Sequence, residues 1–75
     1  MTYEDILKDV ITRIIKPNNN IDILDLTVES CETWDSLAHM KLIIELENQF
    51  GITFSEIEIE RATSFCSLLR IIENK

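Results

Sequence analysis

The most constraining feature of this chain is a run of helical periodicity between Trp34 and Gly51. Asp35 and Ser36 both suit the N-cap, because a short oxygen side chain can accept from the free N–H groups of the first turn. Gly51 is the residue type most often found just past a helix end. The pattern predicts a helix over residues 36–50, with the Ser36 hydroxyl at its positive end and near solvent. The buried stripe predicted from spacings of three and four is Leu37, Met40, Ile43, Ile44, Glu47 and Phe50.

Two further segments have the same periodicity. Residues 3–15 predict an amphipathic helix, which Pro17 cannot continue. Thr2 and Asp5 resemble a capping box at its start, although Glu or Gln is the usual last residue. Residues 64–74 carry apolar side chains on one face, behind a serine or threonine that can cap them. Both segments are therefore expected to bury one face against the central helix.

The remaining segments are less regular. Residues 17–35 alternate apolar and polar side chains, but a lone strand would have nothing to pair with. We interpret them as a long connection packed on the helices, with a short helical turn at residues 22–25. Residues 55–61 predict a short helix capped by Ser55, although their alternation of glutamate and isoleucine also fits a strand. One glycine and one proline in the chain argue against an all-β fold. We expect one all-α domain over residues 1–75: a small four-helix bundle with a long first loop and a short third helix.

Charge and hydropathy limit the partners that such a chain can have. Fourteen acidic and seven basic residues give a formal net charge of −7, which disfavours nucleic acid and anionic membranes. A basic patch on another protein is the natural complement, although solubility alone would also explain the acids. No apolar run is long enough to span a membrane, and the first residues do not resemble a signal peptide. We therefore expect a cytoplasmic protein.

Ser36 is the first candidate for a functional residue, although a serine at a helix start is most often only a cap. His39 follows on the same helix, but the sequence identifies neither a partner to orient it nor an oxyanion hole, so a serine hydrolase is not expected. A hydroxyl at a helix N-terminus can instead carry a phosphodiester, since free N–H groups and the helix dipole favour an anion there. A chain this short has no room for a deep substrate cavity. We expect no enzymatic activity, and no metal site, because Cys31 and Cys66 lack ligand spacing with His39.

These residues resemble the signature of acyl carrier proteins, and the resemblance covers essentially the whole chain. It implies that Ser36 carries covalent 4′-phosphopantetheine, and that Asp35 and Leu37 present this serine to a magnesium-dependent phosphopantetheinyl transferase. The thiol of the arm, and neither cysteine of the chain, would hold an acyl group as a thioester. Trp34 and Thr33 replace small residues common in carriers of fatty-acid synthesis, which implies a specialised lipid, polyketide or related pathway. The matching residues are Asp35-Ser36-Leu37, Met40, Ile43, Ile44, Leu46-Glu47 and Phe50-Gly51-Ile52.

The resemblance also implies a surface for partner enzymes on a monomeric carrier. In the family, the second and third helices dock on basic patches of acyl-loading, acyltransferase or synthase enzymes. A solvated acidic face is the alternative. Lys41 and His39 are unusual on such a surface and are expected to tune which partner is accepted. The partner-binding residues predicted from helical spacing and charge are Ala38, Lys41, Leu42, Glu45, Glu56 and Glu58.

Several alternatives stay open at this stage. The load could be an aminoacyl or peptidyl group, such as D-alanine, or the chain could be an unmodified acidic adaptor that binds through its second helix. Trp34 is expected to pack against the loop, and flanking the arm or touching a partner is the alternative. Whether the core shelters a short acyl chain is also open. The apolar candidates for such a shelter are Ile11, Ile43, Ile44, Phe50, Phe54 and Leu69.

Overall fold

A computed structural model describes residues 2–17 and 22–75 of the chain. Within these ranges the protein is all-α, as predicted, and no residue lies in a strand. An isolated antiparallel bridge pairs Thr27 with Ser64. Part of the long first connection, residues 18–21, lies outside the described residues. The helices are α1 (Tyr3–Ile14), α2 (Ser36–Phe50), α3 (Glu56–Arg61) and α4 (Phe65–Glu73), with a 3₁₀ turn (Ile23–Asp25) between α1 and α2.

The predicted caps define the ends of these helices. The Thr2 hydroxyl accepts from the Asp5 N–H at the start of α1, and the Asp35 carboxylate accepts from the Ala38 N–H at the start of α2. Asp35, and not Ser36, is therefore the N-cap of α2. Gly51 ends that helix in the left-handed conformation, with a φ of 65°.

The short third helix begins at a complete capping box. The Ser55 hydroxyl accepts from the Glu58 N–H, and the Glu58 carboxylate accepts from the Ser55 N–H at 2.9 Å. Two orphan donors of the first turn are thereby satisfied, which favours a helix over an extended conformation. The strand interpretation of residues 55–61 was therefore wrong, and the helical one is confirmed.

The core lies between α1, α2 and α4, and the first connection closes it on one side. Leu26, Cys31 and Trp34 of this connection are buried. Backbone hydrogen bonds hold it against the start of α4: the Val28 N–H donates to the Thr63 carbonyl, and the Phe65 N–H donates to the Leu26 carbonyl, each at 2.9 Å. The connection is thus packed on the helices, as predicted. The fully buried helical residues are Leu7, Val10 and Ile11 of α1, Leu42 and Leu46 of α2, and Phe65 and Leu68 of α4.

The predicted buried face of α2 was largely wrong. Leu37, Met40 and Ile44 are 67%, 45% and 55% exposed, whereas Leu42 is completely buried. The placement of Leu42 on the outer, partner-binding face is therefore also wrong. The physical reason is that α2 is apolar on two faces, so its periodicity is compatible with either face turned inward. Packing against α1 selects the face that carries Leu42, Ile43 and Leu46.

Candidate functional site

Ser36 is the first residue of α2, and it is exposed, as predicted. Asp35 immediately before it has an extended backbone, and its carboxylate lies 2.8 Å from the Ala38 nitrogen. The cap therefore comes from Asp35, so the Ser36 hydroxyl is not needed to begin the helix. The N–H groups of Ser36 and Leu37 have no carbonyl acceptor within an α-helix, as is general for a first turn. The serine oxygen thus lies where the helix dipole favours negative charge.

A cleft of about 530 Å³ adjoins Ser36. One wall comes from the start of α2, and the other comes from the end of α3 and the residues that follow it. Its lining includes the apolar residues Val28, Met40 and Ile59 and the acidic residues Asp35 and Glu60. The remaining lining residues are Trp34, His39 and Thr63.

Both ring nitrogens of His39 form hydrogen bonds at this cleft, and one of these bonds connects its two walls. The Trp34 indole Nε1–H donates to His39 Nδ1 at 2.9 Å. Nδ1 is therefore an acceptor, so the ring proton is on Nε2, which lies 3.0 Å from the Ile59 carbonyl and donates to it. Trp34 is a buried packing residue, 2% exposed, as expected, and it also contributes to the cleft beside Ser36. His39 joins α2 to α3 rather than facing a partner.

This arrangement bears on the chemistry that His39 can perform. A general base for the Ser36 hydroxyl needs a ring nitrogen with a free lone pair. In this conformation the lone pair on Nδ1 accepts from the indole, and Nε2 carries a proton directed at a backbone carbonyl. His39 therefore has a structural task beside the serine, and its sequence spacing from Ser36 does not indicate a catalytic pair.

Apolar side chains cover much of the outer face of α2. Leu37, Met40 and Ile44 follow one another at spacings of three and four, so they share one side of the helix. Leu37 is the most exposed of the three, and it directly follows the serine. We refer to Leu37, Met40 and Ile44 as the apolar stripe. Lys41, predicted to face a partner, is exposed beside it.

Two of the acidic residues predicted to bind partners are engaged within the chain. Glu45 accepts from the Gln49 amide at 3.0 Å and lies 3.8 Å from the Arg13 guanidinium of α1. Glu58 accepts from the Lys75 ammonium at 2.6 Å in addition to its capping bond. The hydrogen bond from Lys75 lowers the pKa of Glu58, and the bond from the Ser55 N–H adds to this effect.

The other predicted partner residues differ in their accessibility. Glu56 is exposed, whereas Ala38 is half-buried. Glu60, which belongs to the acidic run expected to contact partners but was not among the predicted partner-binding residues, is exposed at the cleft. The exposed charged residues of α3 are therefore Glu56, Glu60 and the basic Arg61.

Several site residues were missed because they lie far from Ser36 in sequence. Val28, Ile59 and Thr63 reach the cleft only through the packing of the loop and α3. Glu47, expected near the buried face, is half-buried and accepts from the Phe54 N–H at 2.8 Å, so its role is to fix the turn after α2. The exposure of Met40 and Ile44 had a signal in the sequence, because α2 has apolar residues on two faces and only one of them can be buried against α1.

The two cysteines differ in their accessibility. Cys31 is buried and Cys66 is exposed, and both are free thiols. Within residues 2–17 and 22–75, no three side chains of His, Cys, Asp or Glu come together as a metal site would require. In the same part of the chain, none of the helices has the length and apolar character needed to cross a membrane.

A scan against protein-family models and a search of curated proteins found no match to this chain.

Proposed function

We propose that this chain is a carrier protein of the acyl carrier class, with Ser36 as the attachment point of 4′-phosphopantetheine. The observation that carries the proposal is an exposed serine at the first position of a fifteen-residue helix, beside an open cleft, with its cap supplied by Asp35. A phosphodiester on this oxygen would lie next to the free N–H groups of the first turn. The exposure of Ser36 gives the group access, and the first-turn N–H groups favour its negative charge, whereas the acidic residues Asp35 and Glu60 of the cleft oppose it.

The chain's own residues would present the serine and hold the surroundings rigid. Asp35 fixes the start of α2, and Leu37 exposes an apolar surface that a modifying enzyme can contact. The arm, when attached, supplies a terminal thiol for an acyl or aminoacyl group. Tethering raises the effective concentration of that group at each partner site in turn. In this proposal the chain itself catalyses no reaction.

The proposed partner surface consists of the side chains that the structure leaves exposed, and the acidic residues of α2 are not its main part. The apolar stripe would enter an apolar depression on a partner enzyme, and Glu56 and Glu60 of α3 would face its basic residues. Lys41 is the exposed charge beside the stripe, so it suits an acidic residue of the partner. Glu45 and Glu58 would stay in their internal hydrogen bonds.

Intact mass tests the proposal directly. Incubation with coenzyme A, magnesium and a phosphopantetheinyl transferase of broad specificity should add one phosphopantetheinyl group. Ser36→Ala should remove this addition completely. Ser30→Ala changes another exposed serine, so it should be modified like the original chain. An unchanged mass with a transferase that modifies a known carrier would reject the proposal and favour an unmodified adaptor.

A further inference from the structure

The hydrogen-bonded chain from the Trp34 indole through His39 to the Ile59 carbonyl lies at the boundary between cleft and core. All three residues line the cleft beside Ser36. His39 is on the same side of α2 as Leu42 and Ile43, three and four residues further on, and these two are 0% and 2% exposed. A group that moves from Ser36 between α2 and α3 towards the core therefore meets His39 before it meets Leu42.

The polar groups of this hydrogen-bonded series all have partners. The indole N–H, both ring nitrogens and the carbonyl oxygen each have a partner at 2.9 or 3.0 Å. Separating α3 from α2 would break the bond to Ile59, and displacing the ring would also leave the nearly buried indole N–H without an acceptor. An unpaired polar group in an apolar environment is costly. The closed arrangement is thus favoured over one that admits an apolar chain.

We infer that Trp34, His39 and the Ile59 carbonyl form a latch that closes the core to a group attached at Ser36, so that the group stays in the open cleft. For the cargo, this inference rests on the proposed carrier function. A carrier that does not bury its cargo gives no shelter to a long hydrocarbon chain. The latch therefore assigns small cargo to this protein: a short-chain acyl or aminoacyl group. His39 is a positioning residue in this scheme.

The latch can be tested without the phosphopantetheine arm. Ser36→Cys in a Cys66→Ser background leaves buried Cys31 as the remaining thiol besides the new one. Alkyl methanethiosulfonates of two, six and ten carbons then attach chains of increasing length at position 36 as mixed disulfides, with release of sulfinate. With His39 present, the melting temperature should vary by less than about 1 °C across the series.

Opening the latch should reveal a dependence on chain length. In the same background, His39→Ala should make the ten-carbon adduct melt about 4 °C or more above the two-carbon adduct, because the longer chain now enters the core. His39→Gln keeps a donor and an acceptor and should restore most of the flat response. Glu60→Gln changes another cleft residue outside the latch and should behave like the unsubstituted background.

Two results would overturn the inference. One is a melting temperature that rises with chain length while His39 is present. The other is a melting temperature that does not change with chain length in either His39→Ala or Trp34→Phe. Trp34→Phe is a second variant, which removes the indole donor with a smaller change of shape. Hydrogen exchange of the indole N–H provides an independent measurement, since His39→Ala should accelerate it at least about tenfold. A negative mass experiment would reject the carrier function and leave these results unaffected.

Discussion

At the scale of single residues, two helix ends require the same left-handed backbone but meet this requirement with different residue types. Lys16 follows α1 with a φ of 54°, and Gly51 follows α2 with a φ of 65°. The left-handed conformation is disfavoured for residues with a Cβ and is readily adopted by glycine. Lys16→Gly should therefore raise the free energy of unfolding, and Gly51→Ala should lower it, each by about 1 kcal/mol.

Urea denaturation of the two variants checks this prediction. No atom lies within 4 Å of a Cβ placed on Gly51, so the expected loss comes from the backbone alone. Glu32→Gln changes an exposed turn residue whose side chain has no hydrogen bond or ion pair among the described residues, so it is a suitable reference for the error of the measurement. A stabilised Gly51→Ala chain would contradict the explanation.

Glu58 makes stability depend on pH at the same scale. The hydrogen bond from Lys75 lowers its pKa below the ordinary value of 4.5 in the folded chain. A carboxyl group with a lower pKa in the folded state stabilises that state above its unfolded pKa, and the contribution disappears as the pH falls through the folded pKa. Glu58→Gln should therefore destabilise the chain at pH 7 and have a smaller effect below about pH 4.5.

Melting temperatures of the original chain and Glu58→Gln, measured between pH 7 and pH 3, test this expectation. Glu56→Gln is the matched control, because it removes an exposed carboxyl from the same helix. A constant difference between the original chain and Glu58→Gln at every pH would show that ionisation of Glu58 is not involved.

At the scale of elements, the helices were predictable and their orientation was not. Caps and breakers are local, so Asp35, Ser55 and Gly51 specify where helices begin and end. The inward face of α2 depends on which apolar side meets α1, and that choice is made by packing between segments distant in sequence. The same limit applies to the candidate site. The exposed position of Ser36 at the start of α2 was predictable from its neighbours, whereas the hydrogen bonds from Trp34 through His39 to Ile59 depend on the packing of α3 against α2.

A pair of substitutions on α2 distinguishes the two faces. Leu42→Ala removes a completely buried side chain and should lower the free energy of unfolding by about 2–5 kcal/mol. Ile44→Ala changes a side chain that is 55% exposed and should cost less than about 1 kcal/mol. Both changes put alanine into the interior of one helix, so helix propensity largely cancels in the comparison. Equal losses in a denaturation experiment would mean that the face assignment is incorrect.

At the scale of the whole molecule, the net charge of −7 does not make the exposed surface of α2 and α3 uniformly acidic. Glu45 and Glu58 form hydrogen bonds within the chain, and the apolar stripe covers much of the outer face of α2. Charge would therefore guide the approach of a partner through α3, and apolar contact would hold it on α2. Exposed apolar side chains that are close together commonly indicate a contact surface.

If the proposed function is correct, a phosphopantetheinyl transferase is a partner with which the separate contributions of charge on α3 and apolar contact on α2 can be measured. Met40→Gln combined with Ile44→Gln should lower kcat/KM for modification of Ser36 about tenfold, which corresponds to about 1.4 kcal/mol of lost apolar contact in the transition state. Glu56→Gln should act mainly through the dependence of the rate on salt, because screening weakens attraction between exposed charges. Leu24→Gln removes an exposed apolar side chain from the 3₁₀ turn and should leave kcat/KM unchanged. If Leu24→Gln and the double substitution slow modification equally, the loss reflects general apolar surface, and the apolar stripe has no particular role in docking.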